Sequence, residues 1–99
     1  MKSGRRLRDE VALIVGGGQI SGETIGNGRA TALTFASEGA KIAVADINMS
    51  LAQETVQLIH DQGEEAFAIQ GDISKEADCA RFVSETMKYY GQLNILQNN

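Results

Sequence analysis

The chain has 99 residues, a net charge of −4 and one cysteine, and 42% of its residues are hydrophobic. These values predict one small globular domain, exclude an internal disulfide and argue against nucleic acid as a partner. No apolar run approaches the roughly 18 residues of a membrane span, and none follows the basic N-terminus as in a secretory signal. We therefore expect no membrane partner and a cytoplasmic location.

The first ten residues are polar and basic, and we expect them to form a solvated tail ahead of a domain that covers residues 11–99. The unbroken apolar run Val11–Val15 predicts a strand that is covered on both faces, as in a parallel sheet. A glycine-rich stretch follows, and residues 27–37 then have the apolar spacing of a helix. The glycines of this stretch are Gly16, Gly17, Gly18, Gly22, Gly26 and Gly28.

The rest of the chain alternates between short apolar runs and longer amphipathic segments. Strands are predicted over residues 41–46, 66–70 and 93–97, and helices over residues 48–62 and 74–90. Strands that alternate with helices of this length form parallel sheets with right-handed crossovers. The sequence therefore predicts an α/β fold with strand order 3-2-1-4 and helices on both faces of the sheet.

The helix predicted over residues 74–90 combines apolar and charged positions. Ser74 is its predicted N-cap. Its expected buried side consists of Ala77, Ala80, Phe82, Val83, Met87 and Tyr90. The charged side chains are expected to form a solvated face, made of Lys75, Glu76, Arg81, Glu85 and Lys88.

An anion site is predicted where the glycine stretch meets the first helix. The first N–H groups of a helix have no internal partners, the helix dipole is positive there, and glycines let a pyrophosphate approach the backbone. Two frames fit the site, one starting at Gly22 and one at Gly16, and both place Gly26 and Gly28 at the helix. The second is preferred because Gly16 follows the strand immediately. No Gly-Lys-Ser/Thr follows the glycines, which disfavours a P-loop nucleotidase.

Asp46 closes the second predicted strand, 18 residues after Gly28. A carboxylate at this place can accept hydrogen bonds from the ribose hydroxyls of an adenine dinucleotide, and it would repel a 2′-phosphate. Residues 47–49 contain no lysine or arginine to bind that phosphate. The sequence therefore predicts NAD rather than NADP as the cofactor.

Polar residues also follow the third and fourth predicted strands. Asp72 could accept a hydrogen bond from an adenine amino group, or simply belong to the turn that starts the third helix. Asn98 and Asn99 come just after the fourth strand, and their alternative is a frayed terminus. Because the strands are parallel, all of these residues are expected at the same sheet edge.

Four motifs together resemble the short-chain dehydrogenase/reductase family, from about Leu7 to Asn99. They are the run VALIVGGG…GNGRATA, Ala45-Asp46 after strand two, Gly71–Ser74 after strand three, and Leu96–Asn99, which looks like the start of the family's Asn-Asn-Ala-Gly motif. The resemblance implies a Rossmann-type fold. It also implies hydride transfer between a nicotinamide cofactor and a small-molecule alcohol or carbonyl substrate.

The resemblance implies a role for each matching residue. The pyrophosphate would be lined by Gly16, Gly26 and Gly28, and Asn27 would also touch the cofactor. Asp46 would hold the adenosine ribose, and Asp72 and Ile73 would face adenine. Asn98 would lie along the ribose near the nicotinamide. The implied cofactor-binding residues are Gly16, Gly26, Asn27, Gly28, Asp46, Ile47, Asp72, Ile73 and Asn98.

The chain departs from the family in two ways. Its glycine loop is longer than in most members, and it lacks the family's catalytic Ser and Tyr-x-x-x-Lys pair. The fourth residue after Tyr89 is Leu93, and the fourth after Tyr90 is Asn94. We therefore expect an incomplete, truncated domain that carries the cofactor-binding half, is inactive alone and belongs to a complete protein that can be oligomeric.

Two alternatives remain open. The chain can be a free-standing dinucleotide-binding module, or a domain that binds S-adenosylmethionine, which also offers a ribose to an acid after strand two. No catalytic residue and no metal ligand is predicted within the 99 residues.

Overall fold

The computed structural model describes residues 6–16 and 27–98, with Asn27 described by its backbone only. The described part forms four strands and three helices in strict alternation. They are β1 (Val11–Val15), α1 (Asn27–Ser37), β2 (Lys41–Asp46), α2 (Met49–Asp61), β3 (Ala66–Gln70), α3 (Glu76–Tyr90) and β4 (Ile95–Asn98). Within these residues no helix combines the length and the apolar character needed to cross a bilayer.

The four strands form one parallel sheet in the order β3-β2-β1-β4, as predicted. Val15 pairs with Ala45 on one side and with Asn98 on the other, and Asp46 pairs with Gln70. The chain leaves β1 toward β2 and returns to the other side of β1 as β4. This change of direction is where open α/β sheets bind their ligands, outside the carboxyl ends of the strands.

Two apolar clusters cover the two faces of the sheet. On one face α1 and α2 pack on alternate residues of β1 and β2, including Ile14 and Ile42. Ala32 and Ala36 of α1 are fully buried, so their small side chains bring this helix close to the strands. On the opposite face Phe82 of α3 packs with the other alternate residues, among them Leu13 and Val15. The helices thus lie on both faces, as expected.

The structure corrects the predictions for the third helix. α3 begins at Glu76, its N-cap is Lys75 without a side-chain hydrogen bond, and Ser74 binds Asp72 instead of capping the helix. Phe82 and Thr86 are its buried residues, and Tyr90 is half-buried. The other residues predicted to be buried are exposed or largely so, because only the stripe at a spacing of four residues faces the sheet. They are Ala77, Ala80, Val83 and Met87.

The last strand begins at Ile95 rather than at residue 93. Leu93 packs against the cluster of Phe82, and the Asn94 side chain accepts a hydrogen bond from the Val11 N–H at 2.8 Å. Leu93 therefore contributes to the core, and Asn94 binds the N–H at the start of β1, before the pairing of β4 begins.

The described end of the predicted tail is attached to the domain. The Leu7 N–H donates to the Glu38 carbonyl at 2.8 Å, and the Leu7 side chain packs against the cluster of α1 and α2. The Arg6 N–H donates to the Glu38 carboxylate at 3.1 Å. Residues 6–10 are therefore not a fully solvated tail, because the Leu7 side chain covers part of the apolar surface of that cluster.

Tyr90 is expected to resist ionisation in the folded chain. Its hydroxyl donates to the Ile42 carbonyl at 3.0 Å, and burial above all, followed by Glu65 and Tyr89, raises the pKa of Tyr90. Because the folded pKa is raised, this contribution to stability is complete below the unfolded pKa of roughly 10 and is lost as the pH rises further.

The variant Tyr89→Phe isolates this titration, since the chain has two tyrosines and no tryptophan. Its ultraviolet tyrosinate absorbance should rise at a higher pH in the folded chain than in urea. Equal midpoints in the two conditions, with circular dichroism unchanged, would contradict the expectation.

Candidate functional site

The carboxyl ends of the strands bring several predicted site residues to one edge. Gly16 leaves β1 with a φ of 78°, a left-handed conformation that glycine adopts without strain, and its N–H donates to the Ala45 carbonyl at 2.7 Å. The chain therefore turns sharply at the end of β1, next to the end of β2. Asn98 pairs with Val15 on the other side of β1, so it lies at the same edge, and it is exposed.

Helix α1 begins at Asn27 as predicted, and Gly28 is buried in its first turn. That turn contains no acidic residue, so its N–H groups and the helix dipole offer a positive end with which no carboxylate of the same turn competes. Gly26 and the choice between the two glycine frames lie outside the described residues. The contacts expected of Gly26 and Asn27 remain predictions.

Asp46 is half-buried at the end of β2 and orients the segment that follows it. Its Oδ1 accepts a hydrogen bond from the Asn48 N–H at 2.9 Å, and the Asn48 side chain caps α2 by accepting from the Leu51 N–H at 3.2 Å. Ile47 lies between them with 64% of its surface exposed. The carboxylate and an apolar side chain thus stand together at this edge.

Asp72 lies in the turn after β3 and is held there by hydrogen bonds from Ser74 of the same turn. Its Oδ1 accepts from the Ser74 hydroxyl at 2.7 Å and from the Ser74 N–H at 2.9 Å, and these two bonds hold the pKa of the Asp72 carboxyl below its ordinary value. Ile73 is 43% exposed beside it. The structure therefore gives Asp72 a turn-forming role, and the adenine contact remains a prediction.

Two residues of α3 that lie outside the predicted site hold this turn in place. Asp78 accepts a hydrogen bond from the Asp72 N–H at 2.8 Å, and the Arg81 Nη2 donates to the Gln70 carbonyl at 2.6 Å. Arg81 also contacts Asp78 and Glu85. The sequence predicts that Arg81 lies on the solvated face of the helix. Its spacing to those acids within the helix does not indicate that it also reaches the Gln70 carbonyl.

Gly71 has no room for a side chain. A Cβ there would lie 2.5 Å from the Phe82 Cε1 atom and 2.8 Å from the Arg81 Nη2 atom. Gly71→Ala should therefore lower the free energy of unfolding by about 1–3 kcal/mol, the usual cost of overpacking a core. Urea denaturation would measure this loss.

The variant Phe82→Leu supplies the control for Gly71→Ala. In that background the ring atoms that clash are gone, so the added cost of Gly71→Ala should become smaller. An unchanged cost would show that the ring is not what excludes the side chain.

The site is made of backbone donors, carboxylates and apolar side chains. Among residues 6–16 and 27–98, no group of three or more His, Cys, Asp or Glu residues is arranged to hold a metal ion. Cys79 is a half-buried free thiol whose Sγ donates to the Ile73 carbonyl at 3.2 Å. This edge of the sheet combines a helix N-terminus, which can bind an anion, with a carboxylate, which can accept hydrogen bonds from hydroxyl groups.

Comparisons with known proteins agree with this architecture. A family model described as short chain dehydrogenase matches residues 10–99. An uncharacterized oxidoreductase of Thermotoga maritima is 41% identical over 93 residues, which are 94% of this chain and 34% of that protein. The short-chain dehydrogenase/reductase homolog YusS of Bacillus subtilis is 37% identical, and the match covers 92% of this chain and 79% of YusS.

A solved structure has the same fold. It is 7α-hydroxysteroid dehydrogenase complexed with NADH and 7-oxo glycochenodeoxycholic acid, with a TM-score of 0.82 and 32% sequence identity. The match covers 97% of this chain and 36% of that one, so the chain spans about a third of the length of that dehydrogenase. The family model, the relatives and the sheet topology agree with one another. The chain belongs to the short-chain dehydrogenase/reductase family.

Proposed function

We propose that this chain binds NAD at the carboxyl edge of its sheet and serves hydride transfer between that cofactor and an alcohol or carbonyl substrate in the complete protein. The observation that carries the proposal is the strand register, which places Gly16 and Asp46 at neighbouring strand ends. The dehydrogenase of the same fold is complexed with NADH, which supports this choice of ligand class.

The start of α1 fits the diphosphate of the cofactor. Its first turn has no acidic residue, and the chain reaches the edge through the left-handed Gly16. Gly16, Gly26, Asn27 and Gly28 would hold the diphosphate through backbone N–H groups. This arrangement suits an anion without requiring a cationic side chain.

The adenosine end fits the residues after β2 and β3. The Asp46 carboxylate can only accept hydrogen bonds at neutral pH, and the hydroxyls of a ribose can donate to it. Ile47 and Ile73 are exposed apolar side chains at the ends of these two segments and would contact the adenine, with Asp72 beside it. Asn98 would lie along the ribose at the nicotinamide side.

The same acid favours NAD over NADP. The negative charge of Asp46 would repel a 2′-phosphate, and residues 47–49 contain no lysine or arginine to neutralise one. NAD carries a free 2′-hydroxyl at this position, which can donate to the carboxylate.

The bound nicotinamide supplies the hydride chemistry, and the residues of this chain bind and orient it. The family's catalytic Tyr-x-x-x-Lys pair does not occur in these 99 residues. We therefore assign substrate polarisation and proton transfer to other parts of the complete protein, together with its oligomer contacts. A reducing compartment such as the cytoplasm fits the single cysteine of these 99 residues.

Calorimetry tests whether the chain binds NAD, once circular dichroism has shown that the chain is folded. NAD should bind, and S-adenosylmethionine should compete poorly, whereas no binding of NAD to the folded chain would overturn the proposal. A hydride-transfer assay with NAD and simple alcohols should give no turnover by the 99 residues, because the acid/base tyrosine is missing. Turnover would show that other residues replace it.

A free-standing binding module is the second candidate, favoured by the match to 79% of YusS. Such a module would be a stable monomer that binds NAD without any further segment. Analytical ultracentrifugation tests this second candidate, since an aggregating or unfolded chain would contradict the module.

A further inference from the structure

Arg29 lies in the first turn of α1, one residue after Gly28, a place from which a cation could face a bound anion. Its guanidinium instead contacts α2. The Nε donates to the Thr55 Oγ1 at 2.9 Å, and the Nη2 donates to the Leu51 carbonyl at 3.2 Å and to the Glu54 carboxylate at 3.1 Å. Only 17% of the Arg29 side chain is exposed.

These contacts make a rigid link. Thr55 is fully buried, so the guanidinium is held at one end by a fixed hydroxyl. A planar guanidinium offers several donors in a fixed arrangement, which an ammonium group cannot reproduce. The exposed Glu54 contact contributes little alone, but the bonds to Thr55 and Leu51 place the whole group.

The link joins two elements that carry different parts of the site. α1 begins at the proposed diphosphate position, and α2 follows directly after Asp46, through the Asn48 cap that also binds the Asp46 carboxylate. A dinucleotide touches both parts at once. Its affinity therefore depends on the distance between them, as for any ligand that bridges two sites.

We propose that Arg29 is a positioning residue that fixes the diphosphate-binding end of α1 relative to the ribose-binding acid through Thr55, Leu51 and Glu54. This inference rests on the proposed function. It predicts that the binding of a ligand that spans both parts depends on the Arg29 contacts. The binding of a ligand that touches only the ribose and adenine part does not depend on them.

Titrations of NAD, ADP and adenosine into the wild-type chain and into Arg29→Ala test the proposal. NAD and ADP affinities are followed by calorimetry, and the weaker adenosine by NMR chemical shifts. Arg29→Ala should lower the affinities for NAD and ADP by about tenfold each and leave adenosine within about twofold. An equal loss for adenosine, or no loss for ADP, would overturn the proposal.

Arg29→Lys separates positioning from direct contact with phosphate. A lysine keeps the charge but cannot bind Thr55, Leu51 and Glu54 together, so the loss for ADP should persist. Full rescue by lysine would overturn the proposal and indicate a direct charge contact. The exposed Arg6→Ala is the control and should change none of the affinities. If Arg29→Ala unfolds, Arg29→Lys alone decides, and if the wild type binds no NAD, the proposed function itself fails.

Discussion

Asp46→Asn is expected to weaken NAD binding by roughly tenfold to one-hundredfold. A hydrogen bond to a charged group is worth about 1.5–3 kcal/mol, and each 1.4 kcal/mol is about a factor of ten in affinity. Asparagine retains an oxygen that can accept from the Asn48 N–H, so the start of α2 should stay in place. The loss can therefore be attributed to the carboxylate charge. Calorimetry with NAD and NADP measures both affinities.

NADP should respond in the opposite direction, because the substitution removes the charge that repels its 2′-phosphate. The preference for NAD over NADP should fall in Asp46→Asn. Asp61→Asn makes the same change of net charge on the exposed end of α2, where Asp61 contacts Gln57, and it should leave both affinities unchanged. Equal NAD binding by wild type and Asp46→Asn would remove Asp46 from the site.

Phe82→Ala is expected to cost about 3–5 kcal/mol of the free energy of unfolding, as other large-to-small aromatic substitutions in cores do. Phe82 has 1% of its surface exposed and is the α3 residue in the cluster that covers one face of the sheet. A small domain has about 5–15 kcal/mol in total. Much of the fold's stability would therefore be lost, and urea denaturation followed by circular dichroism should show it.

Val83→Ala is the matched control on the same helix. Val83 is 37% exposed, so its truncation should change the free energy of unfolding by no more than about 1 kcal/mol. Similar losses for the two variants would mean that α3 does not depend on Phe82 for its attachment to the sheet. A melted α3 would also release the turn that carries Asp72, since Asp78 and Arg81 hold that turn.

The helices and strands were largely predictable, because buried parallel strands leave continuous apolar runs and helices end at glycines. Val11–Val15, Asn27–Ser37 and Lys41–Asp46 have the predicted bounds. Errors arose at the start of α3 and of β4. There, side chains that could cap a helix or join a strand make other hydrogen bonds in three dimensions, as Ser74 does with Asp72.

The candidate site was predictable where chain order alone decides position. Asp46 and Asn98 end parallel strands, so both had to lie at the same sheet edge, and they do. The residues that support this edge were not predictable. Arg29 and Arg81 resemble ordinary helix charges in the sequence, and each reaches a group on another element that only packing brings near.

The order of helices and strands, the parallel sheet and the acid after β2 were determined by the sequence alone, since local periodicity and strand direction suffice for them. The tertiary structure decided which face of α3 is buried, why Gly71 must be a glycine and where the two arginines bind. These depend on distances between residues of different elements, such as the separation between Gly71 in the turn after β3 and Phe82 on α3. Periodicity within one segment carries no information about such distances.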